Sequence, residues 1–130
     1  MSEFLVIATD LFSSPSIILL GIFATLAGIV LGALPGISST MTLAVLLPFS
    51  FTMTPHVAML FLIGAFYGSV YGGSVSAILL NIPGTPGSMV TQLDGYPMAR
   101  KGEAGKALMY ALIASTFGGV MGWLALVGLA

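Results

Sequence analysis

Cysteine is absent from this sequence and charge nearly so, with three Lys or Arg, four Asp or Glu, and 5% charged residues in all. The first absence excludes disulfides and thiolate metal sites. The second excludes an ordinary soluble domain, which draws about a quarter of its residues from charged types. A chain that is 58% hydrophobic and so poor in charge cannot cover itself with a hydrated surface. Its net charge of -1 offers nucleic acid no basic footprint. The HExxH, CxxC, Walker and GxSxG motifs are missing as well. The single His lies far along the chain from any acid. No catalytic residue, metal ligand set or cofactor is therefore assigned.

The few charges sit at the edges. From Leu11 to Leu93 there is no Asp, Glu, Lys or Arg, and His56 is the one side chain in that stretch that commonly titrates near neutral pH. About 18 uncharged apolar residues already make a candidate membrane span, and about 20 cover the hydrocarbon core as helix. This stretch is long enough for several crossings, so the expected fold is an all-α integral membrane protein. A secretory signal is a poor reading of the start, because Glu3 and Asp10 stand where basic residues are required. Residues 1–16 are expected to be an interfacial lead-in.

What is present is apolar sequence punctuated by proline and glycine. Residues 17–34 form the first expected span, opened by Pro15 and closed by Pro35-Gly36. Residues 37–54 carry Ser38, Ser39 and Thr40 as N-cap candidates, then an apolar run interrupted at Pro48. That segment reads equally as a half-helix, a re-entrant hairpin or a kinked crossing. Residues 56–80 are a longer span, with His56 at its start. Gly64, Gly68, Gly72 and Ser76 recur along one face, and Gly28, Gly32 and Gly36 make a shorter stripe of the same kind. Such small-residue spacing is the membrane signature of close helix contact, and the two stripes are candidates to pack together. Tyr67 and Tyr71 either line a pathway or fill gaps beside the glycines.

Residues 81–106 are expected to be a Pro-Gly turn followed by a polar loop holding Asp94 and all three basic residues, Arg100, Lys101 and Lys106. Lys and Arg favour the cytoplasmic side. If residues 37–54 cross, the N-terminus then lies outside; if they turn back, it lies inside. Residues 107–130 open a further span that stops within apolar sequence, so the chain is expected to be a fragment of a larger transporter fold.

Two segments are alike. Leu34-Pro35-Gly36-Ile37-Ser38-Ser39-Thr40-Met41 and Ile82-Pro83-Gly84-Thr85-Pro86-Gly87-Ser88-Met89 both place Pro-Gly between apolar runs and follow it with hydroxylated residues. Interrupted backbone in hydrocarbon survives only when buried in protein or facing a wet cavity. A helix that starts there offers free N–H groups and a positive dipole end, which bind a carboxylate without a buried cation. The candidate substrate residues are Pro35, Gly36, Ser38, Ser39, Thr40, Asn81, Pro83, Gly84, Thr85, Pro86 and Gly87. Unwound carbonyls serve a coupling Na⁺ in such architectures, and the Asn81 amide suits either ligand. An ordinary pair of interhelical turns is the plain alternative.

At these segments the sequence closely resembles the N-terminal portion of the TctA family, the large membrane subunit of bacterial tripartite tricarboxylate transporters. The matching stretches are Gly28 to Phe51, GIVLGALPGISSTMTLAVLLPFSF, and Tyr71 to Leu108, YGGSVSAILLNIPGTPGSMVTQLDGYPMARKGEAGKAL. The resemblance implies a secondary transporter of citrate-like or other small carboxylates, coupled to Na⁺ or H⁺, in the bacterial inner membrane. It implies two protein partners, a periplasmic solute-binding protein and a small membrane subunit with four spans. It puts the family's Pro-Gly motifs on Pro35-Gly36 and on Pro83 to Gly87, in the region associated with substrate. Ser38 and Ser39 stand where the family varies. A structural or assembly module without transport activity is the alternative from another class.

Overall fold

A computed structural model describes residues 14–129. Among them the chain forms five helices: α1 (Pro15–Ala33), α2 (Ser39–Ser50), α3 (Pro55–Leu80), α4 (Ser88–Arg100) and α5 (Ala104–Leu129). Three of these, α1, α3 and α5, are long and apolar enough to cross a membrane. The interfacial lead-in expected over 1–16 lies almost wholly outside the described residues.

Local chemistry sets the helix ends. Pro15 and Pro55 each occupy the first turn, where a missing N–H breaks no intrahelical bond. α1 stops because Leu34 precedes Pro35 and is extended, with ψ 123°. The Ile37 N–H then donates to the Leu34 carbonyl at 3.2 Å, and Gly36 has φ +90°. Proline second and a positive-φ glycine third are the requirements of a type II turn. Pro48 sits near the end of α2, where its absent N–H frees only the Ala44 carbonyl.

The most extensive contact joins α1 and α3. A methyl built on Gly28 would strike the backbone of Ala65, and one on Gly32 that of Ser69. From the other side, methyls on Gly68 and Gly72 would strike the carbonyls of Thr25 and Ile29. Both glycine stripes thus lie in the same seam, backbone against backbone. Gly64 is only partly covered, near the Thr25 hydroxyl, and Gly36 faces open space. Hydroxyls in and beside the seam bond to their own helix. Ser69 donates to the Phe66 carbonyl at 2.8 Å, Ser76 to Gly73 at 3.0 Å and Thr25 to Gly21 at 2.9 Å. Their polarity is thereby satisfied without water.

The pairing has a direction. Gly21 meets Leu60, Gly28 meets Ala65 and Gly32 meets Ser69, so the numbers rise together and α1 runs parallel to α3. Residues 34–54 must therefore carry the chain from the C-terminal end of α1 back to the level of its N-terminal end. α2, at about 18 Å for 12 residues, supplies most of that return but is shorter than a full span.

The polar loop expected over 81–106 requires correction, because residues 88–100 are helical. The reason lies in its ends. Glu103 N–H donates to the Met98 carbonyl at 3.0 Å and Gly102 N–H to Ala99 at 3.0 Å, with Gly102 at φ +82°. This pair of bonds is the Schellman motif, which closes a helix on a left-handed glycine. Glu103 then opens α5, accepting from the Ala107 N–H at 3.1 Å. The exposed Lys106–Glu103 pair at 2.6 Å adds little stability. α4 packs across the C-terminal part of α3, and Gly95 is small because Ile78 fills its place. From Leu112 to Leu129 every residue of α5 is exposed.

The parallel α1–α3 seam predicts which cysteine pairs react, in a chain with no native thiol. Gly21→Cys with Leu60→Cys should cross-link under mild oxidation, because the Leu60 side chain lies 3.3 Å from the position of a Gly21 methyl. Gly21→Cys with Gly72→Cys should not. The reverse pattern on gel mobility would mean an antiparallel seam.

Candidate functional site

The second Pro-Gly segment is not a surface turn. α3 ends at Asn81, which adopts a left-handed conformation with φ 61° and reverses the chain. The following residues fold back along the helix they have just left. Thr85 Cγ2 comes 3.3 Å from where a Gly73 methyl would sit, about two helical turns before Leu80. A methyl on Gly84 would lie 3.0 Å from Gly73 Cα, 3.3 Å from the Gly32 carbonyl and 3.5 Å from Ser76 Oγ. Gly84 is thus seated on α3 and against the last turn of α1. Pro35 follows Gly32 closely in the chain, so the two Pro-Gly segments lie toward the same end of the α1–α3 pair.

The segment is held in that seat by its own hydroxyls. Ser88 Oγ accepts from the Thr85 N–H at 3.0 Å and donates to the Thr85 carbonyl at 2.7 Å; the Thr85 hydroxyl lies 3.3 Å from it. Ser88 is buried, and its hydroxyl closes the turn that leads into α4 on both the N–H and the carbonyl of Thr85. The Thr85 hydroxyl, a candidate donor to substrate, is therefore engaged within the segment. Pro83 is half-buried, whereas Asn81, Pro86 and Gly87 are exposed.

At the first segment the three hydroxyls divide. Ser38 caps α2, its side chain accepting from the Met41 N–H at 3.3 Å, and Thr40 is exposed. Ser39 is 8% exposed, and its hydroxyl is buried with no hydrogen-bond partner among the described residues. Buried hydroxyls are normally paired, so this one calls for an explanation. The N–H groups of Ser39 and Thr40 belong to the first turn and have no intrahelical acceptor. Leu43 and Leu47 share a groove with Leu62, Ile63, Phe66 and Tyr67 of α3. Because α2 returns along the α1–α3 pair, its start lies toward the end at which Gly84 packs on Gly73 and Ser76. Pro35 and Gly36 stay exposed at the turn.

Arginine and lysine are remote in sequence from both segments. Arg100 bonds Tyr96 at 3.5 Å, and Lys106 holds Glu103. Asp94 lines a groove between α4 and α5 with Met98, Ala107 and Tyr110. The Tyr71 hydroxyl donates to the Leu108 carbonyl at 3.3 Å and so ties α5 to α3, while Tyr67 is exposed against Phe66. An apolar groove of about 430 Å³ lies at the far end of α1, around Ile17, Ile18, Gly21 and Leu60, and holds no polar group suited to an anion. Sequence reasoning did not single out Gly73, Ser88, Gln92 or Gly95. The Gly72-Gly73 doublet and the Thr85-x-x-Ser88 spacing were the signals available.

Residues 18–130 match the model of the tripartite tricarboxylate transporter TctA family. The chain belongs to the TctA family. A relative in Agrobacterium vitis, described as an uncharacterized 52.8 kDa protein in the TAR-I ttuC' 3' region, is 50% identical over 101 residues. That alignment covers 78% of this chain and 20% of the relative, so the chain spans about a fifth of the length of the curated relative it matches. No solved structure matches the chain. A TctA-family chain with three helices of membrane-spanning length and composition is a multi-pass membrane protein.

The Thr85–Ser88 closure carries a testable cost. Ser88→Ala removes one acceptor and one donor from a buried turn, and should destabilise the protein by about 1–2 kcal/mol. The thermal unfolding midpoint in detergent should fall, with faster hydrogen exchange at Thr85; an unchanged midpoint would mean that the turn is closed by other contacts.

Proposed function

We propose that this chain is part of the membrane-embedded subunit of a secondary transporter that imports tricarboxylates or related small carboxylates. A Na⁺ or H⁺ gradient drives uptake. The partners in this reading are a periplasmic solute-binding protein, which delivers the substrate, and a small membrane subunit with four spans. The assembly resides in the bacterial inner membrane.

One observation carries the reading. A buried Ser39 hydroxyl, without a partner among the described residues, stands in the first turn of α2, at the end of the molecule where the second Pro-Gly segment folds back between α1 and α3. Free N–H groups and a hydroxyl at a positive dipole end are the means by which a carboxylate is held without a buried cation. Two interrupted helical runs at the same end of a helix pair are similar to the discontinuous helices of secondary transporters. On this account residues 34–54 are a broken crossing. α1 and α3 pass through the bilayer in the same sense, with α2 and its flanks crossing between them. The basic residues around Arg100 then face the cytoplasm and the N-terminus faces outward. The exposed apolar faces of α1 and α5 meet lipid or other transporter segments.

Ser39→Ala in the full-length transporter, reconstituted in liposomes, tests the site. A hydrogen bond to a charged group is worth about 1.5–3 kcal/mol, so the half-saturating carboxylate concentration should rise about 10- to 100-fold. The unfolding midpoint should not fall and should rise by a few degrees at most, because among the described residues this hydroxyl has no partner to lose and its burial is relieved. Unchanged carboxylate affinity would remove Ser39 from the site. Absence of saturable uptake by the parent protein with its partner subunits would favour an assembly role instead.

A further inference from the structure

The C-terminal end of α3 has a chemistry opposite to that of the α2 start. The last four carbonyls of a helix have no intrahelical partner and carry the negative end of its dipole. In α3 these belong to Ala77, Ile78, Leu79 and Leu80, and no N–H among the described residues bonds to them. No basic residue stands in the last turn. The other helix ends differ. Leu34 N–H turns back on α1, Phe51 N–H on α2, and Lys101, Gly102 and Glu103 N–H on α4. α3 is the one of these four whose last turn receives no such bond at all among the described residues, although the Gly32 and Ala33 carbonyls of α1 are also unanswered there.

Asn81 adds to this array. Its left-handed conformation brings its backbone carbonyl and its side-chain Oδ1 to bear on one point, which the Gln92 side-chain nitrogen occupies at 2.9 and 2.7 Å respectively. One donor held by two oxygens of a single residue is a chelate, and the nitrogen sits where a cation would. The Gln92 amide turns about its last bond to present its own oxygen to the same point. The oxygens then number three, all neutral. Neutral oxygens at a helix C-terminus suit an alkali cation, whereas Ca²⁺ and Mg²⁺ sites draw on carboxylates.

We infer that Asn81 and Gln92, at the C-terminal end of α3, form an alkali-cation site, in which the Gln92 amide nitrogen stands in for the ion until it is displaced. As the seat of a coupling ion the site deepens the transport reading and in that role rests on it. The same residue that ends α3 also begins the segment that carries Gly84 and Thr85 to the α1–α3 junction. Cation occupancy at Asn81 would therefore fix the entry to that segment.

The test is the thermal unfolding of the purified full-length protein in NaCl, KCl or choline chloride at equal ionic strength, without carboxylate. A saturable rise in midpoint is expected in Na⁺ or K⁺ and not in choline, as mass action requires of a bound ion. Which alkali cation acts identifies the ion. Gln92→Glu places a full negative charge at the chelate and should lower the half-saturating cation concentration by about tenfold. Asn81→Gly keeps the left-handed turn but loses Oδ1, and should raise that concentration by a similar factor. Equal midpoints in the three salts, or a cation response untouched in both variants, would overturn the inference. A cation response without carboxylate uptake would support this site and count against transport. Carboxylate uptake by a protein whose midpoint ignores cations would do the reverse.

Discussion

The contact between α1 and α3 sets the geometry of everything else in the fold. In a bilayer the lipid tails are as apolar as leucine, so helices gain little by hiding apolar surface and associate through close packing. Glycine at Gly28, Gly32, Gly68 and Gly72 permits that closeness, since a single methyl at any of them would enter the partner backbone. The seam also fixes direction. Parallel helices joined by a short segment force residues 34–54 to travel the height of the pair, and α2 follows from that need. Gly73 and Ser76 continue the small-residue surface beyond the seam and make room for Gly84 and Thr85. Helix packing and the seating of the second Pro-Gly segment are one surface used twice.

Segments that leave the helical ladder within an apolar chain need compensation. Ser88 closes the second segment on Thr85. Ser38 caps α2. At Ser39 and at the last turn of α3 the compensation is incomplete among the described residues, the first with an unpaired hydroxyl and the second with unpaired carbonyls. These two places have opposite polarity, one a positive helix start and the other a negative helix end. Between Leu11 and Leu93 there is no charged side chain to do either job. Helix ends are the strongest fixed charges this part of the molecule possesses.

The sequence displayed the seam and the turns more clearly than the site. Glycines spaced by four residues point to a helix interface because α-helical periodicity admits no other common use for them in apolar sequence. Pro35-Gly36 announces a turn for equally local reasons. The direction of α2 was not legible, since a short apolar helix fits a crossing or a return until its neighbours are known. The helix at Ser88–Arg100 was hidden by Pro97, Gly95 and a lack of apolar periodicity, although Gly102 and Glu103 held the closing motif. The division of labour among Ser38, Ser39 and Thr40 depends on which side chain turns toward the backbone and which is buried, and adjacency in sequence says nothing about either.

The central claim is that backbone contact along the glycine seam holds the structure. It is tested most directly by glycine-to-alanine substitution, comparing seam positions with open ones. Gly28→Ala, Gly32→Ala and Gly68→Ala should each lower stability by about 1–3 kcal/mol, the range of overpacking in a tight interior, with broadened size-exclusion profiles in detergent. Gly118→Ala and Gly122→Ala, where nothing lies within 4 Å of the added methyl, should leave both measurements at parent values or slightly stabilised. Equal effects in the two groups would contradict the account.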